Sequence, residues 1–159
     1  MTPLQRKEFI DRIQRVLHVP GNYRGGILEM AIVVDYGISE EMLQAACKEM
    51  IAALKNCDKI FMNARCNLIK WVDDTDIRKE VSSMGLVQMG RAFADYVPAN
   101  KNKSLDELLR QLKFFYARSK IIIVLTNGEY VQLDKEAIEA YKKPFLGKKL
   151  LLFETKHFL

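Results

Sequence analysis

Two runs of apolar, largely β-branched residues stop abruptly at polar, glycine-containing loops, and they restrict the folds open to this chain. Residues 27–39 read ILEMAIVVDYGIS, and residues 121–129 read IIIVLTNGE. A continuous apolar run of strand length, without polar alternation, marks a strand covered on both faces. Such strands belong to parallel α/β sheets, whose ligands bind at the loops beyond the strands' carboxyl ends. Asp35 and Asn127 stand at those two ends and are the first candidates for a site.

The rest of the chain supplies the alternation of helix and strand that such a sheet needs. Leu4, Phe9, Ile10, Ile13, Val16 and Leu17 make one apolar stripe, which predicts a helix over residues 4–17 ended by Pro20-Gly21-Asn22. Ser39 is placed to cap a second helix, with Glu40 and Glu41 in its first turn and an end near Lys55. Lys59–Ala64 and Asn67–Val72 read as short adjacent strands of one hairpin. Asp73-Asp74-Thr75-Asp76 lacks the glycine and distal glutamate of an EF-hand loop, so it reads as a solvated turn capping the next helix. Val81, Met84, Leu86, Val87, Met89, Phe93 and Tyr96 predict a helix or two, broken at Gly85 and Gly90. Pro98–Lys103 is a loop, and Ser104 with Glu107 has the spacing of a capping box. Leu105, Leu108, Leu109, Leu112, Phe115 and Tyr116 would line the buried face of the helix that follows. A short extended piece at Tyr130–Leu133, a helix capped by Asp134 and a strand at Lys149–Glu154 complete the pattern. The expected fold is therefore α/β, a three-layer doubly wound, mostly parallel sheet with an extra N-terminal helix. One domain is expected over residues 1–159, with an accessory helix and loop at 1–22 and the core at 26–159.

At 159 residues and 49% hydrophobic composition the chain is large enough for one real core. Its longest apolar stretches are strand-length, and no apolar h-region follows the N-terminal charges, so neither a membrane span nor a signal peptide is expected. Cys47, Cys57 and Cys66 are odd in number and lack C-x-x-C spacing, which suits reduced core thiols in the cytoplasm. The net charge of +5 comes from both signs interspersed, so Lys101–Lys103, Lys113–Lys120 and Lys142–Lys149 read mainly as solvated faces.

From about Gly26 onward the chain resembles the von Willebrand factor A (VWA) domain. In that family the first strand ends in D-x-S-x-S and the fourth in T/S-D-G. The echo is strongest for a bacterial VWA-like group whose first motif reads D-T-S-G-S-I-S-D-E-E-L. Residues 35–43, DYGISEEML, match that motif when two residues are deleted around Gly37. On this gapped reading both metal-site serines are gone and Ser39 is the helix cap. An ungapped reading keeps Ser39 as the second serine and puts Gly37 at the first. The gapped reading is favoured, because Ile38–Glu41 reproduces the helix start.

The family holds Mg²⁺ with these groups, a threonine from a middle loop and the last aspartate. The resemblance implies a degenerate site here. Asp35 survives, Val87 or Gln88 falls where the threonine should be, and Asn127 replaces the second aspartate. One carboxylate and a neutral amide suit Mg²⁺ poorly, since it wants about six oxygens in a tight octahedron. Asp35, Ser39 and Asn127 are thus vestigial positions, no cofactor is expected, and Asn127 is expected to donate a hydrogen bond to the Asp35 carboxylate.

Three functions compete. The resemblance favours a non-catalytic protein-interaction module, part of a bacterial multi-protein assembly. Its partner would be another protein, such as an AAA-type ATPase or an assembly subunit, or a second copy. The candidate surface is Asp35, Tyr36, Ser39, Met84, Leu86, Gln88, Met89, Asn127, Glu129 and Tyr130. An enzyme using Asp35 has less support: no phosphate-cradling glycine motif follows the first strand, and His18 and His157 pair with no obvious nucleophile. Nucleic-acid binding through Lys113, Arg118, Lys120, Lys142, Lys143, Lys148 and Lys149 would use Phe114, Phe115 and Tyr116 for stacking. The helical spacing instead assigns Phe115 and Tyr116 to the core.

Overall fold

Among the described residues five strands form one sheet in the computed structural model, in the order β3-β2-β1-β4-β5. The structure describes residues 2–4, 6–8, 10–11, 29–55, 65–75, 77, 80–84, 96–99, 101–119, 121–131, 135–136 and 149–154. The strands are β1 (Glu29–Asp35), β2 (Arg65–Trp71), β3 (Glu80–Met84), β4 (Ile121–Thr126) and β5 (Lys149–Glu154). The helices with complete descriptions are α1 (Glu40–Lys55) and α2 (Leu105–Phe115). β2, β1, β4 and β5 run parallel, and β3 is antiparallel to β2. The fold is α/β with a mostly parallel sheet. Among the described residues no helix is long and apolar enough to cross a membrane.

The continuous apolar runs end where expected, because both faces of the central strands are buried. Successive side chains on a strand alternate between faces. Ala31 and Val33 of β1, Ile69 and Trp71 of β2, and Ile122 and Val124 of β4 share one core cluster with Leu105, Leu108, Leu109, Leu112 and Tyr116. The α2 leucines thus cover one face. The opposite-facing Met30, Ile32, Val34, Leu68, Ile123 and Leu125 are equally buried.

Several expectations are corrected. Phe115 turns outward, and Phe114 is 74% exposed beside it in an edge-to-face pair. Tyr116 lies four residues beyond Leu112 and takes the core position, which rotates Phe115 off that face. The capping box does not form either. The Ser104 side chain makes no cap bond to its own helix, and Glu107 turns to Arg110 and Gln111. Asp74 instead accepts the Ser104 N–H at 2.7 Å, so the acidic turn reaches a helix 30 residues away. Buried Gln111 holds that turn, accepting the Ile77 N–H at 2.8 Å and donating to the Thr75 carbonyl.

Glu80–Met84 is a strand, not helix, and it supplies the antiparallel partner of β2. The expected strand at Lys59–Ala64 lies outside the described residues. Leu4 is exposed although it was assigned to an apolar stripe. Its helical neighbour Arg6 is held by an ion pair to Glu49 of α1 at 2.7 Å. Most of the remaining stripe, Phe9, Ile13, Val16 and Leu17, lies outside the described residues, as does the cap Asp134.

Candidate functional site

The strand order reverses between β1 and β4: β2 and β3 continue outward from one, β5 from the other. In open α/β sheets the crevice for ligands opens at such a switch point, beyond the carboxyl ends of the strands. Asp35 ends β1 and Thr126 ends β4, so both stand at that point. Period-two alternation puts their side chains on the α2 face, with Ala31, Val33, Ile122 and Val124.

Asp35 is fully buried, and donors from three parts of the chain meet its carboxylate. The Lys103 ammonium contacts Oδ1. The Gly37 N–H donates to the same oxygen at 2.7 Å. The Thr126 hydroxyl donates to Oδ2 at 2.5 Å and accepts the Gly128 N–H at 3.0 Å. Gly128 adopts a φ of 81°, the left-handed conformation glycine takes freely, and this turns its N–H back onto Thr126. The Lys103 side chain is 1% exposed, and its ammonium lies 5.2 Å from the centre of the Trp71 ring. Trp71 in turn packs on Tyr130, with ring centroids 5.8 Å apart. Removing one partner of a buried pair strands the other charge, at a cost of about 3–5 kcal/mol.

A second cluster closes the β1–α1 loop. Tyr96 donates its hydroxyl to the Ile38 carbonyl at 2.6 Å and lies against Tyr36, with ring centroids 4.7 Å apart. Burial, then the nearby Asp35 charge and Tyr36, push the Tyr96 phenol well above its ordinary range. The Ala99 N–H bonds the Tyr36 carbonyl at 2.8 Å.

The expected residues divide clearly. Asp35, Tyr36, Asn127 and Tyr130 gather around the switch point, with Ser39 and Glu129 exposed on its rim. Ser39 accepts the Met42 N–H at 3.2 Å, so it caps α1 as its place before Glu40 and Glu41 predicts. Asn127 does not bond the Asp35 carboxylate. Its amide donates to the Gly37 carbonyl at 3.0 Å, and its Oδ1 accepts the Glu129 N–H at 2.9 Å. The Lys103 ammonium takes the place expected for it. Met84 pairs with Cys66 near the amino end of β2, whereas Trp71 at the other end pairs with Asp35. Five residues at ~3.3 Å each put Met84 roughly 16 Å from the switch point. Leu86, Gln88 and Met89, and with them Val87, lie outside the described residues.

Sequence reasoning missed Lys103, Tyr96 and the role of Thr126. Thr126 was visible as the last residue of the IIIVLT run, but Lys103 sat within a lysine group that reads as solvated. It is 2% exposed instead. Val97 and Val131 were also missed, and at 71% and 48% exposure they place apolar surface on the rim. Both are tied to the site by backbone: Val97 follows Tyr96, and the Val131 N–H bonds the Lys103 carbonyl at 2.9 Å.

A divalent ion held as the VWA family holds it does not fit this arrangement. The carboxylate carries an ammonium and two hydrogen-bond donors, the serine caps a helix, and the amide is bonded to backbone on both sides. No three His, Cys, Asp or Glu side chains come together among the described residues. The chain matches no protein-family model, and no curated protein matches it either.

Proposed function

We propose that this chain is a non-catalytic protein-interaction module of VWA-like, three-layer fold, whose switch-point loops face a partner protein without a bound ion. The observation that carries this reading is the Asp35 carboxylate, fully buried and engaged by Lys103, Gly37 and Thr126. A carboxylate so held has no oxygen turned to a substrate proton, which argues against an acid or base role. The order β3-β2-β1-β4-β5, with its reversal at Asp35, supports the likeness in architecture. The rim then offers Val97, Pro98, Glu129 and Val131 as exposed contact residues, three of them apolar.

The test is affinity capture from an extract of the source organism, run in parallel with chelator and with Mg²⁺. The reading expects the same partner in both, and its loss from a Val97→Asp/Val131→Asp variant that keeps the wild-type thermal midpoint. Capture that requires Mg²⁺, or that is indifferent to the rim variant, contradicts it.

Nucleic-acid binding keeps one specific observation in its favour, the exposed Phe114–Phe115 pair beside exposed Lys113 and Arg118. The rings stand at 89° to each other, so they do not offer two parallel platforms to successive bases. Binding of an oligothymidylate that falls steeply with salt would favour this alternative.

A further inference from the structure

We infer that the buried space beside Asp35 occupied by the Lys103 side chain is a site for a primary ammonium group, filled in cis by that lysine. The walls have the chemistry such a group needs. A carboxylate oxygen contacts the nitrogen, and an aromatic face lies 5.2 Å from it. A desolvated ammonium is held by this pairing of anion and π face, since it carries three donors and no acceptor. Water is excluded, with the two charged side chains 1% and 0% exposed.

The frame does not depend on the lysine side chain. The Lys103 carbonyl accepts the Val131 N–H, the Ser104 N–H is held by Asp74, and Ser104 bridges to Val131 in a parallel β-bridge. On the other side, Gly37 and Thr126 fix the carboxylate through their own hydrogen bonds. Shortening residue 103 therefore leaves a void lined by Asp35 and Trp71 instead of a collapsed loop. The void has the length of an alkyl stem and ends at a carboxylate, so its ligand class is a small primary alkylammonium. Mg²⁺ is a poor substitute, because the Gly37 N–H and the Thr126 hydroxyl already point hydrogens at the carboxylate. This inference concerns what fills the site, and it stands whether or not a partner protein binds the rim.

The experiment uses Lys103→Ala with ethylammonium chloride. Trp71 is the single tryptophan, so intrinsic fluorescence reports directly on the site. Ethylammonium is expected to raise the thermal midpoint of Lys103→Ala and shift its Trp71 emission, both saturably. Sodium chloride at equal ionic strength does neither, and wild type does not respond because its own lysine fills the site. The response disappears in Asp35→Asn/Lys103→Ala. An equal response in wild type, or one that survives the loss of the carboxylate, overturns the inference. Should Lys103→Ala not fold, Lys103→Met and Asp35→Asn/Lys103→Met are compared by denaturant midpoint. The double variant is expected to recover most of what Lys103→Met loses, and a simple sum of two losses overturns the inference.

Discussion

Asn127 and Gly37 hold the two switch-point loops together: the Asn127 amide donates to the Gly37 carbonyl at 3.0 Å. A Cβ built on Gly37 would stand 2.6 Å from that same nitrogen and 3.1 Å from Asp35 Oδ1. The close approach of two loops, and not a left-handed turn, is what demands glycine here. Gly37→Ala should destabilise the chain by about 1–3 kcal/mol, the usual cost of forcing an extra carbon into a packed site. Asn127→Asp turns a donor into an acceptor opposite a carbonyl, and should cost about 1–3 kcal/mol. Urea denaturation of each variant measures both. Stability equal to wild type in either would mean that the loops do not meet this way.

The Tyr96 hydroxyl spans 58 residues of sequence to reach the Ile38 carbonyl. Tyr96→Phe keeps the ring against Tyr36 and removes that bond together with the longer one, at 3.4 Å, to the Asp35 carbonyl. A loss of about 0.5–1.5 kcal/mol is expected in urea denaturation, the net value of one hydrogen bond. A neutral result would place the contribution of Tyr96 in its ring alone.

Asp74 and Glu107 distinguish a cap brought from a distance from one read locally. Asp74→Ala should cost about 1 kcal/mol, because it frees the Ser104 N–H at the start of α2. Glu107→Ala should cost at most about 0.5 kcal/mol, since its pair with Arg110 is solvent-facing. Thermal midpoints in the reverse order would restore the capping box.

Burial pushes the Cys47 thiol up to about 11 and the Cys66 thiol up to about 12, from an ordinary value of 9.0. Below pH 9 both thiols are protonated in the folded and unfolded chain and do not affect the balance. As pH rises above 9 the unfolded chain releases these protons first, so stability falls progressively towards pH 12. Buried Tyr96 adds to the loss in the alkaline range. Denaturant midpoints across pH 8 to 12 should decline, and the decline should shrink in Cys47→Ala/Cys66→Ala. The native Cys47 and Cys66 thiols should also resist aromatic disulfide reagents until the chain unfolds.

The parts of the fold that could be read from sequence are those decided locally. The runs AIVV and IIIVL are apolar at every position, which only burial on both faces explains, and Ser39 stands directly before two glutamates. Glu80–Met84 is different: EVSSM has no clear period, and it becomes a strand because the edge of β2 supplies its hydrogen bonds. The site divides in the same way. Asp35 and Asn127 sit at visible strand ends, whereas Lys103 carries no local mark that sets it apart from Lys101. What distinguishes it is the carboxylate it meets after the chain has folded, 68 residues away in sequence.

The central claim is that the switch point carries its own cation. The most direct measurement is calorimetric titration of Mg²⁺, Mn²⁺ and Ca²⁺ into chelator-treated protein, with the thermal midpoint followed in parallel. With the Lys103 ammonium on Asp35, no binding heat and no stabilisation are expected up to millimolar ion. A saturable heat and a rise in midpoint, both lost in Asp35→Ala, would show that the ion displaces the lysine and would contradict the account.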